Sequence, residues 1–553
     1  MTWQQIYDPF HNMFISTALA AIPVVVMLAA LGFFHIKAHV AAGMGLVAAI
    51  LVAVFAYGMP ADMAGRAALF GGFTGLLPIG WIVLNIIFLY RLTVANGSFE
   101  ILQRSIGGIT EDRRLQLLLI AFAFGAFFEG AAGFGTPVAV TAALLIGLGF
   151  SPLAASGLSL IANTAPVAFG ALGTPVIALA GVTGLDVYTL SAMIGRQLPF
   201  FSLLVPFWLI WAFAGFKGMK EIWPAILVTG LSFAIPQFLV ANFMGPELVD
   251  IIAAIVSMVS LVLFLRVWQP KKIWTSPAMR GKDPSAAEAK PPQPVVRHSK
   301  EALIAAWTPW LILSVFVFVW GLPPVKAWLN GLFAPKFPIE GLHNLIMKMP
   351  PVVTTPHPEG AVYTLNLLSA TGSGILLAAI VSALVMKYNP VAIVRTFFKT
   401  LWMVRYSLLT IVLMLALGTL TRFSGTDTTL GLAFAGTGAL YPFFGTLMGW
   451  IGVALTGSDT ASNVLFGGMQ KVAAEQLGLS ANLMGAANSS GGVMGKMIDA
   501  QSIVVASTAT NWFGHEGDIL RYVFFHSIAL AVLVGLLVTL QAYVPPFTAM
   551  VLH

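Results

Sequence analysis

Apolar residues run along most of this chain in long, unalternated stretches, separated by short segments rich in Gly, Pro, Lys and Arg. Runs of that length match a bilayer core when coiled as helices, whereas barrel strands are short and alternate in polarity. The pattern predicts helical spans near 13–34, 198–215, 222–243, 246–265, 303–322, 370–386, 403–420, 428–450 and 522–543, with two more between Lys37 and the 91–114 loop. Within that loop, FEILQRSIGGITEDRRLQLL mixes charge with apolar residues and predicts a surface helix. Residues 269–302 have too little apolar content to fold and read as a cytoplasmic linker between a membrane half at 1–268 and another at 303–553. The segment 323–369 is too polar and Pro-broken to span, so it is expected to form an external cap or loop.

Two regions, 124–176 and 444–503, resist simple helix counting. Each begins with an apolar run that ends in a Gly-rich polar break, EGAAGFGTP at 129–137 and TGSDTASN at 456–463. Each continues through a short helix, an LG-x-S turn and a second break, NTAP at 163–166 and NSSGG at 488–492. The matched order suggests a repeat, although the spacings differ by a few residues.

Composition closes off the soluble alternatives. Hydrophobic residues are 58% of the 553, charged residues 9%, and mean hydropathy is +0.90. A soluble fold so poor in charge could not cover its surface, so the chain is an all-α polytopic membrane protein of about 12–14 spans. The absence of cysteine removes disulfide scaffolds and thiolate metal sites.

The net charge of +7 does not point to nucleic acid, because the excess is confined to loops. Residues 266–301 carry eight basic residues against Asp283, Glu288 and Glu301, and 387–405 adds Lys387, Arg395, Lys399 and Arg405. Basic loops between apolar spans are the positive-inside pattern. With no Lys or Arg in MTWQQIYDPFHNMF, the first span is expected to be a retained helix with its N-terminus outside. The first unit is then entered from inside, after Arg113 and Arg114, and the second from outside. One pattern entered from opposite sides is an inverted repeat, the usual plan of a secondary transporter.

The breaks are also where the polar chemistry gathers. Pro166 removes a donor, and Gly170, Gly173 and Pro175 weaken the helix that follows. Backbone groups freed in a bilayer must be satisfied inside protein or in a wet cavity, and a helix N-terminus there suits a carboxylate. Asn163, Thr164, Ser458, Thr460, Ser462, Asn463, Asn488, Ser489 and Ser490 bring hydroxyls and amides to these places. The bland alternative is that Gly and Ser merely allow helices to pack closely. Ionisable residues nearby are Glu129, Asp459, Lys496 and Asp499, with Arg196 in GRQLPF. Lys496 and Asp499 at i, i+3 could equally be a local ion pair, and Arg196 an interface residue. Glu129 and Asp459 have no basic residue beside them, which favours a functional role. Arg422 and Asp427 are expected at the outer surface, and His35 and His39 at a membrane edge.

Enzyme motifs are missing. GGVMGKM lacks the spacing and the following Ser/Thr of a phosphate loop, and no HExxH, GxSxG or DDxxD pattern occurs. Neither a metal nor a cofactor is expected.

Longer motifs carry a resemblance. WQQIYDP, FGAFFEGAAGFGTPVAVTAALL, IANTAPVAFGA, GRQLPF, LTGSDTASN and LQAYV make this chain similar to the bacterial L-lactate permease family over nearly its whole length. The resemblance implies a cytoplasmic-membrane symporter that takes up lactate, and often glycolate, together with protons; it is not an enzyme. Where the family pattern has Ser-Pro after GKMI, this chain has Asp499–Ala500, which argues against an essential family-wide role for Asp499. On this reading the break residues bind the substrate carboxylate, Asn163, Thr164, Ser458, Thr460, Asn488 and Ser489 foremost, with Ser462, Asn463, Ser490, Arg196 and Lys496 in support. Asp459 and then Glu129 are the expected proton carriers, because desolvation and a bound anion both favour the neutral acid. A membrane-embedded enzyme, a proton-translocating subunit of a larger complex and a channel are the competing classes.

Overall fold

Glycine and proline, rather than polarity, end the helices nearest the centre of this protein. The computed structural model describes residues 2–34, 36–131, 133, 135–292, 296–512 and 514–553. His35 of the expected membrane-edge pair, and Ala132 and Phe134 of the first break, lie outside the described residues. Among the described residues nine helices are long and apolar enough to cross a membrane, eleven if each of two bent pairs counts as one span. Met13–Met27, Pro137–Gly147 and Thr371–Val385 are shorter apolar helices.

The helix Arg113–Ala131 runs to a break with Gly133 (φ 57) and Gly135 (φ 81), and Thr136–Gly147 leaves it. The Arg113 guanidinium donates to the carbonyl of Leu148, so entry and exit of this hairpin lie at the same end. The same geometry recurs with Tyr441–Thr456 and Asp459–Gln476, which turn at Gly457 (φ 71). Both are re-entrant hairpins.

After each hairpin comes a broken span. Pro152–Ala162 and Val167–Thr183 meet at 64°, and the backbone unwinds through Ala171, Leu172 and Gly173, all at positive φ. Ala and Leu rarely adopt such angles, so surrounding structure holds them there. The second broken span is Ala481–Gly495, a short 3-10 turn at Lys496–Ile498, and Ala500–Ala509.

The ends of these elements establish the inversion. Ser151, opening the first broken span, donates to Asp283 of the linker at 2.6 Å, and Trp512, closing the second, donates to Glu288 of the same linker. At the opposite end Lys471 donates to the Thr183 carbonyl at 2.9 Å, and Gln476 donates to the Pro351 carbonyl in the cap. The first hairpin therefore opens at the linker end and the second at the cap end. Packing is reciprocal as well: Gly170–Thr183 lies on Asp459–Gln476, as Ala500–Ala509 lies on Thr136–Gly147.

Two of the expected helix boundaries need correction. The stretch 428–450 is not one span: Thr426–Ala435 and the helix after it bend by 110°. NSSGG is not a break either, since Asn488, Ser489 and Ser490 sit inside the continuous helix Ala481–Gly495. Its glycines serve close packing. A Cβ at Gly491 would stand 2.2 Å from the Thr446 carbonyl oxygen, and one at Gly449 2.0 Å from that of Asn488.

The linker is largely irregular but pinned. Arg280 donates its backbone N–H to the Phe213 carbonyl at 2.9 Å, and Trp274 accepts the N–H of Arg113 at 2.9 Å. At the far end, Ile346–Lys348 pairs with Trp3–Gln4 and with His357–Pro358, and Lys336–Pro338 pairs with Val362–Thr364. Glu359 fastens this cap to the helix Pro390–Ser424 through Arg422, and also meets Lys348 at 2.9 Å. Arg422 is thus a cap clamp. Asp427, expected at the surface, is buried against Gly468.

Candidate functional site

The two hairpin tips and the two broken spans converge on a cavity of about 180 Å³. Its wall joins two apolar cores: Met27, Ile79, Ile411 and Met414 come from one, Val167 from the other. The polar lining is Glu129, Asp459, Lys496, Ser458, Thr460, Thr174, Thr456, Ser407 and Thr410.

Lys496 is the cation of the site. It is largely buried, donates to the Gly457 carbonyl at 2.5 Å and lies 3.4 Å from Asp499. Glu129 and Asp459 both feel its charge. Asp499 accepts the N–H of Ser502 at 2.8 Å, so it caps the outgoing helix as well as pairing with Lys496. That geometry makes Asp499 an anchor, with Lys496 left facing the cavity.

Asp459 opens the second arm of its hairpin. Its Oδ2 accepts the Ser489 hydroxyl at 2.5 Å and the Asn463 amide at 3.3 Å, while its buried Oδ1 has no hydrogen-bond partner. The contacts continue away from the cavity. Asn488 donates to Asn463 at 2.9 Å and accepts from Gln470 at 3.1 Å, and Gln470 accepts from Tyr441 at 2.6 Å. Ser462 donates to the Gly449 carbonyl at 3.1 Å. This network locks the acid's rotamer, since every member is buried. Asn463 also reaches the Pro175 carbonyl at 3.2 Å, joining the two repeats.

Glu129 lies near the end of the first arm of the other hairpin and is poorly satisfied. It is 5% exposed and its Oε2 has no partner. Gly170 is required beside it, because a Cβ there would stand 2.3 Å from Oε1. Asn163 lies next to Glu129, yet neither end of its amide completes a hydrogen bond.

Of the expected residues, Ser458, Thr460, Lys496, Glu129 and Asp459 therefore line the cavity, and Ser462, Asn463, Asn488 and Ser489 stand behind Asp459. Asn163, Thr164 and Ser490 are buried without lining it; Thr164 donates to the Ile161 carbonyl. Arg196 is not in the site. It holds Asn242 at 2.9 Å and the Met550 carbonyl at 3.0 Å at the cap end, because its helix start is packed against the chain's last residues.

Sequence reasoning missed Ser407 and Thr410, ordinary residues in an apolar run that nothing local distinguishes, and passed over Thr174 and Thr456 although they lie at the breaks it had marked. It also missed Asp250, a lone carboxylate in a span, which the cost of burying charge could have flagged. An ammonium, two carboxylates and several hydroxyls around a small cavity suit one small anion, provided a proton offsets the surplus negative charge.

A family model described as L-lactate permease matches residues 16–545. Glycolate permease GlcA of Escherichia coli K12 is 48% identical, over 100% of this chain and 99% of its own length. L-lactate permeases of Salmonella typhimurium LT2 and Bacillus subtilis 168 are 46% and 44% identical, each over 98% of this chain and 98% and 99% of their own lengths. Among solved structures, the Alcanivorax borkumensis YdaH transporter aligns over 86% of both chains at 13% identity, with a TM-score of 0.43.

Proposed function

Because the chain belongs to the L-lactate permease family, we propose that it takes up L-lactate, and related 2-hydroxy monocarboxylates such as glycolate, by proton symport across the bacterial cytoplasmic membrane. The linker end then faces the cytoplasm and the N-terminus and cap face outward, the orientation that the basic 266–301 and 387–405 segments favour. The relatives are permeases, and transport rather than catalysis is the activity assigned.

The observation that carries this reading is Lys496 standing between two buried acids at the meeting point of the breaks. In the empty site the ammonium offsets carboxylate charge. A substrate carboxylate binding to Lys496, with hydroxyl donors from Ser458 and Thr460, competes for that charge. An acid deprived of its counter-charge in a desolvated site takes up a proton. Anion and proton then enter together, and the loaded site carries no more net charge than the empty one, which lowers the cost of moving it across the barrier. Asp459 is the first candidate for the proton and Glu129 the second. Asp459 has one oxygen held by Ser489 and Asn463 and the other free, so it can accept a proton without losing its position.

Purified protein in proteoliposomes, given an inward proton gradient, tests this. Labelled L-lactate and glycolate should accumulate above equilibrium, and the gradient should collapse faster when either acid is added. Accumulation that ignores the pH gradient would reject proton symport.

A further inference from the structure

A carboxylate outside the cavity is left unexplained by this scheme. Asp250 opens the helix Val249–Val267 and is 1% exposed, and neither of its oxygens has a hydrogen-bond partner. It is packed directly on the hairpin tip: a Cβ on Gly130 would stand 2.6 Å from the Cβ of Asp250. The residue before that glycine is Glu129, whose charge acts on Asp250 and whose Oε2 is likewise buried and unpartnered.

Two ionised carboxylates cannot share so dry a place without a counter-charge. Among the described residues one base acts on this pair: Lys496, from the cavity side of Glu129, where Asp459 and Asp499 share its charge; Lys326 acts on Glu247. The pair therefore holds at least one proton. Three residues before Asp250 is Glu247, half-buried in a second cavity of about 370 Å³ at the cap end, lined also by Tyr188, Phe318 and Leu322. Three carboxylates thus lead from the cap-end surface to the central cavity, one of them with no other evident task.

We infer that Glu247, Asp250 and Glu129 form a proton-entry route from the cap side to the central cavity, with Asp250 as the relay. An external proton protonates Glu247. That proton passes on from Glu247 to Asp250 and from Asp250 to Glu129, and each acid, having given up its proton, is left as the anion that accepts the following one. Gly130, lacking a side chain, lets Asp250 pack directly against the residue that follows Glu129. This rests on the proton-symport reading above.

The test uses the full chain in proteoliposomes. Wild type failing to accumulate lactate under a pH gradient would reject proton symport itself, whatever Asp250 does. If wild type accumulates, Asp250→Asn, which mimics the protonated acid, should lower gradient-driven accumulation at least tenfold more than it lowers lactate exchange at equal pH. Equal losses in both, or none, would overturn the relay. A second measurement needs no variant: a hydrophobic carbodiimide attacks protonated carboxyls, so it should label Asp250 in the wild-type protein, with labelling falling as pH rises. Peptide mapping that finds Asp250 unlabelled at every pH overturns the proposal, including where Asp250→Asn does not fold.

Discussion

The Lys496 ammonium donates to the Gly457 carbonyl at 2.5 Å, tying the second broken span to the tip of the second hairpin. Gly457 is in the left-handed region, which turns its peptide toward the lysine and ends the helix that precedes it. One contact therefore fixes both the tip and the cation. Lys496→Gln keeps a donor of similar reach but removes the charge. Losing a charge-assisted contact to a carboxylate costs about 1.5–3 kcal/mol. Lactate KM should rise between ten- and a hundredfold in exchange as well as in accumulation, read by initial rates of labelled uptake. An unchanged KM removes Lys496 from the binding site.

Asp459 should separate binding from coupling. In Asp459→Asn, accumulation under a pH gradient should fail while exchange of lactate across the membrane continues. Ser489→Ala removes the 2.5 Å donor to the same carboxylate, so the pH profile of uptake should shift without loss of expression. If Asp459→Asn still concentrates lactate with normal pH dependence, Glu129→Gln is the variant to measure next.

Glycine contacts make a stability prediction with an internal control. Gly449→Ala would drive a methyl into the Asn488 carbonyl, 2.0 Å away, and backbone cannot move aside cheaply. Overpacking of this kind costs about 1–3 kcal/mol, so the thermal midpoint in detergent should fall. Gly65 lies mid-helix with nothing within 4 Å of a built Cβ. Gly65→Ala should be neutral or gain up to about 1 kcal/mol.

Outside the membrane, Glu359 predicts how the cap responds to acid. Burial alone would raise its pKa, but the charges of Arg422 and Lys348 outweigh that and hold it below the usual value of 4.5. A carboxylate lowered on folding stabilises the fold above its unfolded pKa, and that contribution is lost as pH falls through the folded value. Wild-type thermal stability should therefore drop below about pH 4.5. Glu359→Gln should start lower at neutral pH and respond less to acid, both visible in melting curves across pH 7 to 3.

Much of this architecture is written locally. EGAAGFGTP and TGSDTASN end helices because glycine at positive φ and proline without a donor stop a helix whatever surrounds them. Glu129, Asp459 and Lys496 could be singled out because an ion in an apolar run is costly anywhere in a bilayer. The opposite entry of the two units follows from Arg113, Arg114 and the basic loops alone. NSSGG could not be read this way: small polar residues suit a break and a close helix crossing equally, and only the Thr446 carbonyl against Gly491 decides between them. Arg196 likewise became a clamp because Asn242 and Met550 come to it from distant parts of the chain. Asp250 gained its meaning only when Gly130 brought it beside Glu129. Helix ends are settled by torsions within a few residues, whereas partnership between buried polar groups depends on which distant backbone arrives, and that is decided by packing.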